Sequence, residues 1–274
     1  MAYLFGEQRR IIMYTLFDAR MKEYERKSDY RLSSELPVIV RIDGRCFHSF
    51  TKNCEKPFDK NIQRAMKETM LSLCENIQGC VFGYTQSDEI SLIIYLSEEV
   101  NEKGNQIAQP VFNWRIQKLC STIASTATSL FNLYYFNSLL HDEKDFSLPT
   151  ILEKMHPSTL ATFDARVFNI PKKEVCNNIY WRQSDAYRNA IQLIGRTYFS
   201  HKELQNVKCE KIISMLKDKQ INLTDFPHQC LYGSYCIKGG KGWTIPEVTP
   251  LFKNQNRAII NNLINYIERE DITE

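Results

Sequence analysis

The chain has 274 residues, of which 43% are hydrophobic and 24% charged, a composition that excludes a disordered, collagen-like or coiled-coil protein. A net charge of only +3 does not by itself indicate a nucleic-acid-binding protein. We find no secretory signal and no run of about 18 apolar residues, and therefore expect a cytoplasmic protein that does not span a membrane. The nine cysteines include no Cys-x-x-Cys pair, which favours reduced thiols over disulfides or zinc ligands.

Hydrophobic periodicity predicts the secondary structure in chain order. Apolar residues three and four apart predict helices, and short β-branched runs bounded by turn residues predict strands. A polar loop is expected over 97–109. The predicted helices cover 14–24, 57–77, 110–134, 173–197, 202–219 and a terminal segment through 259–267, and the predicted strands cover 37–42, 80–84, 89–96, 162–167 and 234–238.

The order of these elements indicates the fold class. One helix and one strand precede a helix, a hairpin, a long helix, another strand and then mainly helices, which differs from the strict alternation of a doubly wound sheet. We therefore predict an α+β fold, with a mostly antiparallel sheet, helices packed on one face and a helical C-terminal half.

Charge is unevenly distributed along the chain. Residues 166–241 contain 13 Lys or Arg and 6 Asp or Glu, a net charge of +7, so the rest of the chain carries −4. Such a basic segment is a candidate surface for a polyanion, and it is also compatible with an ordinary solvated helix face.

Acidic residues follow two predicted strands at points where the strands end. Asp43 comes after the first strand, and Asp88 with Glu89 lies in the hairpin tip. If these strands are neighbours, the carboxylates meet at one edge and could hold Mg²⁺, which takes one or two carboxylates together with substrate phosphates. Gly44 would leave its backbone carbonyl open to a cation. Turn and cap formation by Asp-Gly and Ser-Asp-Glu remains the alternative.

Three stretches of the sequence resemble the tRNA-His guanylyltransferase family, in the same order and spacing. These stretches are VRIDGRCFHSF with KPFD at 40–59, GYTQSDEIS at 83–91, and FDAR at 163–166 followed by WRQSD at 181–185. The resemblance implies a polymerase-like palm over 1–170, completed by a mainly helical, tRNA-contacting region over 171–274. It also implies addition of nucleotides to the 5′ end of tRNA in the 3′ to 5′ direction, after activation of the 5′ phosphate with a nucleoside triphosphate.

The resemblance assigns roles to individual residues. Asp43, Asp88 and the Gly44 carbonyl would bind two Mg²⁺ ions, with Glu89 supporting the carboxylates. Nucleotide binding, with ATP, GTP or other nucleoside triphosphates as ligands, is assigned to a set that includes Gly44 and the following residues: Arg45, Phe47, His48, Lys56, Ser87 and Asn189. Lysine and serine suit phosphate oxygens as a point charge and a hydroxyl donor.

One departure from the family pattern bears on the substrate. Members acting on tRNA-His carry His-Ile-Asn-Asn after Trp-Arg-Gln-x-Asp, whereas this chain has DAYRNA at 185–190. The variant is similar to the guanylyltransferase-like branch, which restores missing 5′ nucleotides of tRNA by template-directed addition. Repair and tRNA-His maturation both remain open at this stage.

The tRNA contacts are expected in the basic segment, where phosphate position and shape would be read. Trp181 and Tyr187 could stack on bases, although their helical spacing favours a place in the core. The resemblance further implies a homotetramer. Alternatives from other classes are a palm-type nucleotide cyclase and a non-catalytic RNA-binding module. The candidate tRNA contacts are Lys172, Lys173, Arg182, Arg188, Arg196, Lys202 and Lys208.

Overall fold

The computed structural model of the protein describes residues 15–96, 110–142 and 160–267. Its strands are β1 (Val38–Gly44), β2 (Cys80–Gln86), β3 (Glu89–Ile94), β4 (Phe163–Asn169), β5 (Ser234–Gly239) and β6 (Gly242–Thr244). They form one antiparallel sheet in the order β4-β1-β3-β2-β5-β6. This sheet confirms the predicted α+β class, and β5 and β6 show that the C-terminal region contributes to it directly.

Helices of very different lengths connect these strands. The helices are α1 (15–26), α2 (Phe47–Phe50), α3 (Lys60–Asn76), α4 (Ile116–Asp142), α5 (Lys172–Tyr198), α6 (His201–Leu204), α7 (Cys209–Asp218), α8 (His228–Tyr232) and α9 (Ala258–Asn261). Asp59 caps α3 by accepting hydrogen bonds from the backbone N–H groups of Asn61 and Ile62, as expected for an aspartate at that position. In the part of the chain that the structure describes, no helix is both long and apolar enough to cross a membrane.

One face of the sheet is covered by α3 and α4. The alternate residues Val38, Val40 and Ile42 of β1 pack there in one buried cluster. On α3 the predicted apolar stripe, represented by Met66 and Met70, is buried in the same cluster. Two long helices on one face therefore agree with the prediction.

The other face of the sheet is also covered, which the prediction of helices on one face did not include. Ile39 and Ile93 belong to a second buried cluster with Val175 and Ile179 of α5. The sequence signal for this was present, because β3 carries almost only apolar residues and so lacks the alternation of a half-solvated strand. α5 thereby lies across the sheet on the side opposite α3.

Two of the helix predictions in the C-terminal half are wrong in extent. The segment 202–219 contains α6 and α7 rather than one helix, because Asn206 has a positive φ of 61° and interrupts the helical backbone. The terminal helix is shorter than expected and consists of α9 flanked by 3₁₀ turns that end at Ile264. The loop predicted over 97–109 lies outside the described residues.

Candidate active site

The ends of β1 and of the β2–β3 hairpin bring the predicted carboxylates together. Asp43 pairs in register with Glu89 on β3 and with Asp164 on β4. Paired residues of neighbouring antiparallel strands point to the same face, so these three acidic side chains lie on the α5 side of the sheet. Asp88 occupies the hairpin tip, one residue before Glu89. The sheet edge predicted to carry Asp43, Asp88 and Glu89, called the acidic edge below, is thus present.

Gly44 and Asp88 are in direct contact. The Gly44 backbone N–H donates a hydrogen bond to the Asp88 backbone carbonyl at 3.0 Å. A Cβ atom at Gly44 would lie only 2.9 Å from the Asp88 carboxylate atom Oδ2 and 2.5 Å from the Phe47 ring. Position 44 therefore requires glycine for this close approach.

The environment of Asp88 disfavours its charged form. Burial raises the pKa of the Asp88 carboxyl above its ordinary value, and the charge of Asp43 raises it further. A hydrogen bond from Ser87 Oγ to Asp88 Oδ1, at 2.9 Å, opposes that rise. A bound cation would offset the repulsion between two carboxylates that lie close together in partly buried surroundings.

Two arginines hold the acidic edge in place. Arg41 donates to Asp43 at 3.3 Å and to Glu89 at 2.8 Å. Arg182 of α5 binds both oxygens of Glu89, at 2.7 and 3.0 Å, and also binds Asp185 at 2.8 Å. Burial raises the pKa of Glu89, and the two arginines oppose that rise. Glu89 is therefore held at the edge by ion pairs with Arg41 and Arg182.

This geometry corrects the predicted role of Arg182. Its side chain is only 8% exposed, and its donors are directed at Glu89 and Asp185. A guanidinium held in this way is not free to contact a tRNA phosphate. The expectation of a tRNA contact is wrong for this residue because Arg182 links α5 to β3 inside the protein.

A cavity of about 480 Å³ opens beside Asp88. α2, the start of α3, the hairpin tip and α5 line it. Seven of the predicted site residues are among its lining: Gly44, Phe47, His48, Lys56, Ser87, Asp88 and Asn189. Arg45, whose backbone N–H bonds to the Thr162 carbonyl at 2.8 Å, does not line the cavity.

The lining residues differ in what they offer a ligand. Lys56 is exposed, and its Nζ donates to the Thr51 carbonyl at 2.8 Å. Ser87 has a positive φ of 54° and an exposed side chain at the hairpin tip. Asn189 Nδ2 contacts Asp185 at 3.4 Å. Phe47, in contrast, is only 7% exposed and packs in the aromatic core, so it supports the wall of the cavity.

The oxygen atoms at the acidic edge are few and hard, which is the chemistry that a cation such as Mg²⁺ takes from a protein. Among the described residues, no group of three or more His, Cys, Asp or Glu could hold a metal ion. Asp43, Asp88 and the carbonyl of Gly44 supply a few hard oxygens, and Mg²⁺ typically completes its shell with water and substrate phosphates.

The remaining basic residues lie on the surface of the C-terminal half. Lys172 is partly buried, with Nζ 2.7 Å from the Tyr95 hydroxyl. Arg188 is 63% exposed and pairs with Asp185. The other candidates for tRNA contact are exposed: Lys173, Arg196, Lys202 and Lys208.

The two aromatic residues of α5 have different environments. Tyr187 is partly buried and stacks on Tyr232 with ring centres 5.2 Å apart. Trp181 is 54% exposed, which contradicts the favoured prediction that it belongs to the core. The helical spacing that suggested a core position places Trp181 at the border of the buried face, beside Arg182.

Sequence reasoning missed some contributors to the site. Arg41 bridges Asp43 and Glu89, whereas the strand and the motif that contain it suggested no role for it in the site. The alternation of β1 carried the signal, because Arg41 and Asp43 are two residues apart and must share a face. Asp185, for which the motif suggested no separate role, joins Arg182 to Asn189.

Comparison with known proteins identifies the family of the chain. The model of the family described as Thg1, tRNAHis guanylyltransferase, matches residues 18–171. The chain is 32% identical over 203 residues to the uncharacterised protein R259 of Acanthamoeba polyphaga mimivirus, covering 73% of this chain and 68% of that protein. It is 30% identical over 174 residues to the tRNA(His) guanylyltransferase of Schizosaccharomyces pombe, covering 62% of this chain and 56% of that enzyme.

Solved structures show the same relationship. A bacterial tRNA(His) guanylyltransferase (Thg1)-like protein in complex with ATP matches with a TM-score of 0.78 and 33% identity, over 90% of this chain and 99% of that one. The Saccharomyces cerevisiae tRNA(His) guanylyltransferase shares the palm-like fold, with a TM-score of 0.61 at 22% identity over 83% of this chain and 96% of that one. The chain therefore belongs to the tRNA-His guanylyltransferase family of nucleotidyltransferases.

Proposed function

We propose that the protein adds nucleotides to the 5′ end of tRNA in the 3′ to 5′ direction, after activating the 5′ phosphate with a nucleoside triphosphate. The observation that carries the proposal is the junction of the cavity and the acidic edge at Asp88. Asp88 lines the cavity and also touches Gly44. A triphosphate held in the cavity would thus lie directly beside the carboxylates.

The cavity supports nucleoside triphosphate binding. Its volume of about 480 Å³ falls within the usual range for small-molecule sites, roughly 300–1,000 Å³. Related bacterial proteins have been solved in complex with ATP and with GTP. In this chain, Lys56 and Ser87 would hold the phosphate oxygens by charge and by a hydroxyl donor. Asn189 and His48 lie at the same cavity and would contact the rest of the nucleotide.

The acidic edge supports a requirement for divalent cations. We propose that Asp43, Asp88 and the Gly44 carbonyl hold two Mg²⁺ ions, which when bound neutralise triphosphate charge and align the attacking and leaving oxygens. The chain's own contribution is to fix these oxygens. Arg41 and Arg182 do so by holding Asp43 and Glu89 in ion pairs that leave little rotational freedom.

The nucleotide addition itself depends on positioning by the chain. Lys56 and Ser87 fix the triphosphate, while the acidic edge receives the tRNA 5′ phosphate, whose oxygen attacks the α-phosphorus of that triphosphate and releases pyrophosphate. The 3′-hydroxyl of the incoming nucleotide then attacks the activated 5′ phosphate at the same edge, and the activating nucleotide leaves as a nucleoside monophosphate. Holding reactants in line in this way converts encounters between separate molecules into a local reaction. The exposed cations of the basic segment, such as Arg188 and Lys202, would bind the tRNA backbone.

We further propose templated repair of 5′ ends as the reaction of this chain. The sequence at 187–190 keeps the first Asn of the His-Ile-Asn-Asn run found in members that act on tRNA-His, as Asn189, but has alanine at the last position, and Ala190 lines the cavity. Residues that differ at the nucleotide site provide a basis for a different choice of nucleotide.

The choice of added nucleotide tests this proposal. Four tRNAs with a 5′ monophosphate and a missing first nucleotide would differ only in the base opposite the gap, and a tRNA with a complete 5′ end would be the control. We expect the incorporated nucleotide to follow the opposite base. Addition of guanosine whatever the opposite base would contradict templating and favour the tRNA-His reaction, whereas no addition to any of these tRNAs would contradict the proposed function.

The homotetramer and the cytoplasmic location stay predictions that accompany this function. α1 supports assembly, since four of its apolar side chains lie at the surface. Sedimentation of the purified protein would measure the assembly state, and a monomer would contradict it. The four exposed apolar side chains of α1 are Leu16, Phe17, Met21 and Tyr24.

A further inference from the structure

Trp181 is an exposed residue that is connected to the acidic edge through Arg182. Its side chain is 54% exposed, and the guanidinium of Arg182 lies over its ring at 4.4 Å from the centroid. The same guanidinium binds both oxygens of Glu89. One buried side chain therefore separates an aromatic surface from the carboxylates at which the reaction is proposed to occur.

Trp181 lies at the opposite end of the site from the nucleotide cavity. Four-residue steps along α5 place Trp181, Asp185 and Asn189 in one row on the helix. Asn189 lines the cavity, and Asp185 contacts both Asn189 and Arg182. Eight residues of helix span about 12 Å, so a cavity-bound nucleotide and the indole lie on different sides of the network around Glu89.

The surroundings of Trp181 are suited to contact with a nucleic-acid base. The ion pairs of Arg182 with Glu89 and Asp185 fix the guanidinium, which in turn supports the indole by a cation–π contact. Arg188, seven residues further along the helix, is 63% exposed and could bind a phosphate. An exposed aromatic ring that is supported from below, with an exposed arginine about two turns along the same helix, is an arrangement suited to stacking an unpaired base.

We propose that Trp181 is a stacking platform for a base at the acceptor end of the tRNA, next to the 5′ phosphate. The proposal deepens the proposed function and rests on it. It gives the two reactants separate entrances, because the triphosphate occupies the cavity and the tRNA end approaches from the Trp181 side. Stacking would hold the 5′ terminus at Glu89 and Asp43 whatever the base, since every base presents a π-face.

Tryptophan fluorescence tests the contact without any turnover. The chain has three tryptophans, and the other two, Trp114 and Trp243, are buried and partly buried. Acrylamide quenching of the full-length protein would be measured in the absence of divalent cations, alone, with a 5′-monophosphorylated tRNA lacking its first nucleotide, and with GTP. We expect the tRNA to protect the exposed indole and GTP to leave it accessible, and the protected signal to be absent from Trp181→Phe.

The outcomes of this experiment are distinct. Protection by GTP alone would overturn the assignment, because the base on Trp181 would then belong to the incoming nucleotide. Equal quenching with and without saturating tRNA would also overturn it. Failure of the proposed function would give a different result: the wild-type protein would bind tRNA but add no nucleotide to it.

Kinetics distinguish a stacking role from a structural one. We expect Trp181→Leu to raise the KM for tRNA on the order of tenfold and to leave the KM for the nucleoside triphosphate unchanged, with Trp181→Tyr recovering most of the tRNA affinity. Unchanged KM for tRNA in a folded Trp181→Leu protein would overturn the proposal. A parallel rise in both KM values, together with a lower Tm, would assign Trp181 a structural role and overturn it as well.

Discussion

Arg182 binds both carboxylate oxygens of Glu89, with Nε 2.7 Å from Oε1 and Nη2 3.0 Å from Oε2. The two residues are far apart in sequence, and their pairing joins α5 to β3 at the end of the sheet. Because Glu89 also pairs with Arg41, and Arg41 with Asp43, a continuous set of charges runs from the helix to the proposed metal ligands. The position of α5 and the geometry of the acidic edge are therefore linked.

Loss of this pair should destabilise the protein. Arg182→Ala leaves Glu89 partly buried with one of its two cations removed, and we expect the free energy of unfolding to fall by about 3 kcal/mol. Arg188→Ala is the matched control, because Arg188 is 63% exposed and its pair with Asp185 should contribute less than about 1 kcal/mol. Urea unfolding measures both values. Equal effects of the two substitutions would contradict the importance of the buried pair.

The contact between Gly44 and Asp88 predicts a strict requirement for glycine. In Gly44→Ala the new methyl group would meet Asp88 Oδ2 at 2.9 Å and displace the carboxylate. Displacement of a catalytic group by about 1 Å can cost on the order of 100-fold in rate, and we expect a loss of that size in nucleotide addition. Gly240→Ala is the control, since nothing lies within 4 Å of its added methyl group. A fully active Gly44→Ala would contradict this geometry.

Lys56 should act on the nucleotide more than on the tRNA. Its ammonium group lines the cavity, so Lys56→Ala is expected to raise the KM of the activating triphosphate about 10- to 100-fold, the loss of one charged hydrogen bond. The Kd for tRNA should hardly change. Lys52→Ala, which removes an exposed lysine of the same segment that does not line the cavity, provides the comparison. An unchanged activation rate on 5′-monophosphate tRNA in Lys56→Ala would exclude the assigned role.

The titration of Asp88 should report the charge of Asp43. Burial, and then the Asp43 carboxylate, raise the pKa of Asp88, so Asp88 keeps its proton to a higher pH than an ordinary aspartate. Asp43→Asn removes the charge but leaves the burial, and should move the pKa of Asp88 downward while keeping it above its ordinary value. NMR titration of the carboxyl carbons in metal-free protein measures this. A pKa that stays in place or rises would show that the two carboxylates do not interact.

Local patterns predicted most of the sheet and two of its covering helices. β1 and the hairpin were recognisable because short apolar runs end at Asp43 and at the turn before Asp88, which are local signals. The apolar stripe of α3 was equally clear. The break at Asn206 was missed, since a single residue in the left-handed region leaves little trace in the spacing of apolar residues.

The parts that could not be predicted depend on contacts between distant segments. The pairing of Arg182 with Glu89 is set by the packing of α5 on the sheet, and no local pattern distinguishes this arginine from the exposed Arg188. The exposure of Trp181 has the same origin, because helical spacing specifies a direction and not the extent of the neighbouring surface. The motifs identified the acidic edge and the cavity residues, whereas the pairing of Arg182 with Glu89 became visible only in three dimensions.

Nucleotide addition by variants of the two aspartates tests most directly whether the acidic edge performs the chemistry. Asp43→Ala and Asp88→Ala would be assayed for labelled GTP incorporation into 5′-truncated tRNA, with Asp218→Ala, an exposed carboxylate of α7, as the control. Thermal unfolding would establish that each variant is folded. We predict that both site variants lose incorporation while still binding tRNA, and that the control retains it. Near-normal incorporation by a folded Asp43→Ala or Asp88→Ala protein would contradict the proposed active site.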